Sequence, residues 1–132
     1  MLIYMGTSSQ KARPKYLDLL RIKLPITGIV SIAHRVSGVL LVLSIPVWLY
    51  LLELSLSGPQ NFQKAAEISN GFLFTLLAIV CFWALVHHFL AGIRYLLIDI
   101  DIGVDKEAAL DGAKWVFLVE GAIMLPIIGW LL

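Results

Sequence analysis

Three stretches of this chain are almost free of charge. Residues 36–52 run 17 positions between Arg35 and Glu53, residues 68–93 run 26 between Glu67 and Arg94, and residues 115–132 run 18 with one charge, Glu120. Apolar runs of this length read as membrane-spanning helices. The first would give about 26 Å of helix, short of a hydrocarbon core of roughly 30 Å, so it is expected to begin earlier, near Thr27. The predicted spans are about 27–55, 68–98 and 113–132. Pro46 and Pro126 fall inside them, where membrane helices tolerate proline with a kink.

The polar positions between the runs punctuate them. Ser57-Gly58-Pro59-Gln60-Asn61 is a turn cluster, followed by a short helical segment near 62–68. Residues 99–114 form an acidic, polar connection. Ahead of the first span lies a polar arm, then residues 16–25, a short amphipathic segment closed by Pro25 and expected to lie on the membrane surface. The organisation read from this pattern is an arm and surface segment at 1–26 and a three-helix transmembrane domain at 27–132. The fold class is an all-α membrane protein.

Composition agrees: 60% of residues are hydrophobic and 14% charged, against about a quarter charged in a soluble domain. A net charge of +1 offers no basic field for nucleic acid. Cys81 is the only cysteine, which excludes an intrachain disulfide and a cysteine-based metal cluster. It reads as a small apolar packing residue. The first ten residues hold no basic region followed by an apolar run. The expectation is a bacterial inner-membrane protein inserted by its own helices, although a trimmed mitochondrial chain would look similar. Lys11, Arg13, Lys15, Arg21 and Lys23 precede the first span, only Lys64 lies in the first connection, and Lys106 and Lys114 lie in the second. This bias puts the N-terminus and the second connection in the cytoplasm and the C-terminus in the periplasm.

That topology brings two polar groups to one depth. Ser31, His34 and Arg35 sit at the cytoplasmic end of the first span. His88 lies six residues, about 9 Å, from Arg94 near the cytoplasmic end of the second. An Arg at a helix centre is unfavourable by roughly 2.5–3.5 kcal/mol on insertion scales, so such groups need partners. Ser31, Arg35 and Gly38 share a helix face. Arg35 could equally snorkel to lipid phosphates. His88 shares a face with Cys81, Ala84, Ala91, Gly92 and Tyr95. A small-residue stripe around a neutral imidazole suits a haem with the imidazole as axial ligand, and equally suits helix packing with an interhelical hydrogen bond. His87 points about 100° away and reads as structural or interfacial. Glu120 reads as hydrogen-bonded to a neighbouring helix rather than as a proton relay. Trp48, Tyr50, Trp115 and Trp130 fall near span ends as interface anchors. A bis-imidazole haem would need a second histidine from another chain, or His34, and three helices enclose a porphyrin poorly. Both points call for a hetero-oligomeric helix bundle.

Arg13-Pro14, Tyr16-Leu17-Asp18-Leu19, Pro25-Ile26-Thr27 and the block Ser31-Ile32-Ala33-His34-Arg35-Val36-Ser37-Gly38-Val39 closely resemble the cytochrome b membrane-anchor subunits of bacterial succinate dehydrogenase, respiratory complex II. His88 through Gly92-Ile93-Arg94 to Asp99 extends the resemblance over nearly the whole chain. The resemblance implies a subunit of succinate:quinone oxidoreductase. It implies a flavoprotein subunit, an iron–sulfur subunit and a second membrane anchor as partners, in the lipid bilayer. It implies haem b shared with that second anchor, and ubiquinone or menaquinone as substrate. His88 would be the axial ligand of the haem iron, His34 and Arg35 would lie by the haem propionates, and Ser31 and Arg35 would line the quinone pocket. The chain alone has no flavin or succinate site, so no catalytic residue is assigned to it by itself. One departure stands out: many relatives carry His after Gly-Ile-Arg where this chain has Tyr95, which removes an imidazole from that position. The rival readings are a fumarate reductase anchor, a haem-free structural anchor and, more remotely, a small transporter. Three spans without inverted repeats disfavour the last.

Overall fold

The computed structural model describes residues 23–131. Four helices fill them: α1 (Ile26–Leu56), α2 (Pro59–Ser69), α3 (Phe72–Asp99) and α4 (Lys106–Leu131). No strand occurs among the described residues. Helices α1, α3 and α4 are long and apolar enough to cross a membrane, so the chain is an all-α, multi-pass membrane protein. The amphipathic segment expected at 16–25 lies outside the described residues except for 23–25, which are exposed and irregular.

Two helix starts differ from expectation, in opposite directions. A charge-free run marks where hydrocarbon begins, not where the helix begins. Helix α4 starts at Lys106 instead of 113, because the connection carrying Lys106, Glu107 and Asp111 is already helical, and Glu107 in the first turn complements the positive helix end. Helix α3 starts at Phe72 instead of 68. Residues 68 and 69 belong to α2, which closes with Asn70 N–H donating to the Ala66 carbonyl (3.0 Å) and Gly71 N–H to the Ile68 carbonyl (3.1 Å). Gly58, at φ 114, makes the bend that Pro59 turns into α2 as its first residue. The α3 terminus wraps in a Schellman turn: Asp101 N–H donates to the Ile98 carbonyl (3.0 Å) and Ile102 N–H to the Leu97 carbonyl (2.9 Å). Asp101 sits at φ 61, a left-handed position that Asp tolerates better than most residues.

Packing follows small residues. The buried positions of α1 are Val30, Ser37, Ser44 and Leu51, seven apart, the spacing of a left-handed supercoiled seam. Helix α3 buries Cys81, Ala84, His87 and Ala91, and α4 buries Ala113, Val116, Glu120 and Met124. In a membrane such small side chains let backbones approach closely. The Ser37 and Ser44 hydroxyls donate to carbonyls of their own helix, His34 O (2.8 Å) and Leu41 O (2.7 Å), and so enter the seam already satisfied. The apolar core gathers at one end, where Val30, Ala91, Ala113 and Val116 meet. Larger apolar side chains point outward: Val42, Leu43, Leu73 and Leu125 are each more than 60% exposed, as suits lipid or partner helices.

Candidate functional site

The block 31–38 lies in the first four turns of α1, and His87 to Tyr95 in the last four turns of α3. Antiparallel packing brings them to the same end of the bundle. His34, Arg35, Gly38 and His88 line one open cavity of about 510 Å³ with Val39, Val42 and Leu43. Ser31 is half-buried one turn before Arg35 and does not line this cavity. Arg35 is exposed, and among the described residues no carboxylate pairs with it.

His88 is held on one side only. Its Nδ1 lies 3.1 Å from the His34 carbonyl oxygen and 3.2 Å from Ser37 Oγ. A carbonyl oxygen can only accept, so the proton sits on Nδ1. Ser37 directs its own O–H to the same carbonyl. Nε2 therefore keeps its lone pair and has no hydrogen-bond partner among the described residues. An imidazole with Nδ1–H on a backbone carbonyl and a lone pair on Nε2 has the form of an oriented metal ligand. The His88 and His34 rings stack with centroids 4.0 Å apart and planes 10° from parallel, and Tyr95 meets His34 edge-on at 5.2 Å. Glycines give the rings room. A Cβ on Gly38 would lie 3.0 Å from His88 Cε1, and one on Gly92 would lie 3.8 Å from His34 Nε2. The Tyr95 hydroxyl is buried with no hydrogen-bond partner among the described residues.

His87 is the fully buried imidazole. Its Nδ1 shares a 2.7 Å hydrogen bond with Glu120 Oε2 of α4, and Trp83 Nε1–H donates to the other carboxyl oxygen. Its Nε2 faces the Val30 carbonyl at 3.5 Å. Glu120 is thus bonded to a neighbouring helix, as the sequence indicates, whereas the imidazole that the bundle fully buries is His87 and not His88, which is half-buried. The small-residue stripe is resolved by burial: Cys81, Ala84 and Ala91 pack inside the chain, so they serve helix packing. Room beside His88 comes instead from α1, at Gly38.

Contacts made by Ser37, Gly38, Trp83 and Arg94 escaped the sequence reading. Ser37 and Gly38 stand in the quoted block, yet their service to His88 appears only across 51 residues of chain. Nothing in the sequence sets Trp83 apart from the other tryptophans, yet its Nε1–H donates to Glu120. Arg94 reaches across to α4, donating from Nη2 to the Ala109 carbonyl (3.1 Å). Gly112 makes space for it, since a Cβ there would lie 3.4 Å from Arg94 Nε.

Fold and site together define a multi-pass helical membrane protein with an imidazole–guanidinium cavity at one end of its bundle. The sequence profile of the succinate dehydrogenase/fumarate reductase transmembrane subunit matches residues 9–128, and the chain belongs to that family. It is similar to the succinate dehydrogenase cytochrome b556 subunit of Coxiella burnetii, at 32% identity over 82% of this chain and 87% of the relative. It is also similar to the cytochrome b556 subunit of Paracoccus denitrificans, at 29% identity over 94% of each chain.

Proposed function

We propose that this chain is the cytochrome b anchor of a succinate dehydrogenase, holding haem b together with a second anchor and forming part of the quinone-reduction site. The observation that carries the reading is His88. Its Nδ1–H is committed to the His34 carbonyl, its Nε2 is unshared, and it stands in a cavity whose wall includes Arg35. The donor set fits haem b: one neutral imidazole for the iron, and the cation of Arg35 for propionate carboxylates. Haem b, when bound, supplies reversible one-electron transfer. His34 cannot be the second ligand as it stands. The His34 and His88 rings lie face to face at 4.0 Å, which would leave no room for a flat macrocycle between them. The second ligand then belongs to the partner anchor. Both named relatives are succinate dehydrogenase subunits, which favours succinate oxidation over the reverse direction and supplies the flavoprotein and iron–sulfur partners. Ubiquinone or menaquinone is the substrate at this chain. Arg35 would stabilise negative charge developing on its oxygen, and Ser31 would donate a hydrogen bond to it.

The test is a reduced-minus-oxidised spectrum of the complex co-purified through a tag on this chain. A b-type spectrum is expected, and a complete complex without haem absorbance removes the reading.

The orientation that goes with it places the N-terminus and the α3–α4 connection in the cytoplasm and the C-terminus in the periplasm of the bacterial inner membrane. Cysteines introduced at Gln63 and Glu107, both exposed, check it against a buried native Cys81. A membrane-impermeant maleimide applied from outside should label the first and spare the second. The opposite pattern inverts the topology.

A further inference from the structure

Glu120 and His87 together place a carboxyl group and an imidazole inside the bundle, and the family reading gives them no task. A buried polar pair is weak as a source of stability, since well-packed apolar residues often do as well; its best-attested use is to fix register. Register needs fixing here. The seam of α3 is Cys81, Ala84 and Ala91, side chains too small to interlock in only one rotation of the helix. The polar cluster removes that freedom. Glu120 of α4 holds Trp83 and His87 of α3 through its two oxygens. Whichever of Nδ1 and Oε2 carries the shared proton, a protonated Nε2 finds an acceptor in the Val30 carbonyl, so the cluster can be fully paired.

The next residue makes the parallel contact. His88 holds the His34 carbonyl, and Val30 and His34 are one turn apart on α1. Adjacent imidazoles of α3 thus face successive turns of α1, and Ser31 and Arg35 lie beside those turns. A rotation of α3 that releases His87 would also swing His88 away from Gly38, where the fit is 3.0 Å to a would-be Cβ.

We propose that His87, clamped by Glu120 and Trp83, is a positioning residue: it sets the rotation of α3 so that His88 and the Ser31–Arg35 face of α1 keep the geometry needed for haem b and quinone. The inference rests on the reading of His88 and Arg35 given above.

The test compares Glu120→Leu, Glu120→Gln and Trp83→Phe in the whole purified complex. Glu120→Leu is expected to raise the quinone KM about fivefold or more, because ångström-scale misplacement is felt strongly at reacting sites. It should shift the g-values of the low-spin haem signal while succinate turnover with a water-soluble acceptor stays unchanged. Glu120→Gln can accept from Trp83 and donate to His87, so it should restore both readouts. Trp83→Phe should give an intermediate shift. If Glu120→Leu fails to assemble, Trp83→Phe decides: a raised quinone KM with shifted g-values supports the proposal, and parent values overturn it. An assembled Glu120→Leu complex with parent KM and g-values overturns it, and so does Glu120→Gln behaving as badly as Glu120→Leu. A parent complex lacking low-spin haem is a separate failure, that of the underlying reading, and takes this proposal with it.

Discussion

Replacing His88 by alanine is expected to abolish the low-spin haem spectrum of the assembled complex. The ring has one nitrogen tied to the His34 carbonyl and one left with its lone pair, and alanine offers no donor in its place. Water or a neighbouring side chain can take up a vacant coordination position, so spin state is the quantity to measure, not haem content. The neighbouring substitution His87→Ala should keep a low-spin band, since His87 is occupied by Glu120 on α4 and, on the proposed reading, would reach the haem only through helix placement. A gentler perturbation checks the same geometry from the other helix. The methyl of Gly38→Ala would lie 3.0 Å from His88 Cε1 and 3.4 Å from Nδ1, too close for ordinary contact. The ring must give way or α1 and α3 must part. The expected result is an assembled complex with a shifted low-spin signal. An unaltered spectrum in His88→Ala would remove the ligand assignment, and an unaltered one in Gly38→Ala would show that this contact does not set the ring's position.

The parts of this molecule that sequence makes legible are those governed by solvent. The spans follow from where charge stops, and so does the presence of polar groups inside them. Helix starts are less legible, because Lys106 and Glu107 are helical outside the hydrocarbon just as Val116 is within it. The site divides along the same line. His34, Arg35 and His88 stand out because imidazole and guanidinium are rare at that depth, and the structure brings all three to one cavity. Their supports do not stand out. Serine and glycine are common in membrane helices, so nothing in Ser37 or Gly38 announces a contact with a ring on another helix. The two histidines show the limit most clearly. Helical spacing puts His87 and His88 about 100° apart, which separates their roles but cannot say which is buried. That depends on where α4 lies, and α4 is placed by Glu120, Ala113 and Arg94 through contacts that are long-range in sequence.

Removing Arg35 is expected to lower quinone reduction by at least about tenfold, equivalent to roughly 1.4 kcal/mol or more of barrier. Two unit charges 4 Å apart interact by about 4 kcal/mol at the effective dielectric of a protein surface. Arg35 is exposed on the wall of an open cavity, so part of that field is screened. Deleting a single donor from a dry oxyanion hole slows reactions by about 10²–10³-fold, and a wetter, shared site should lose less. Ser31→Ala removes a neutral hydrogen bond from a residue outside the cavity wall, so its effect should be the smaller of the two, close to the tenfold bound. Arg35→Lys is the informative intermediate. It keeps the charge but loses the planar fork, and activity between the parent and the alanine variant assigns part of the effect to geometry. Succinate oxidation with a water-soluble acceptor should be unchanged in all three variants, because the proposed reading assigns that chemistry to other chains. Equal loss of both activities would trace the defect to assembly. Unchanged quinone reduction in an assembled Arg35→Ala complex would take the guanidinium out of the quinone site.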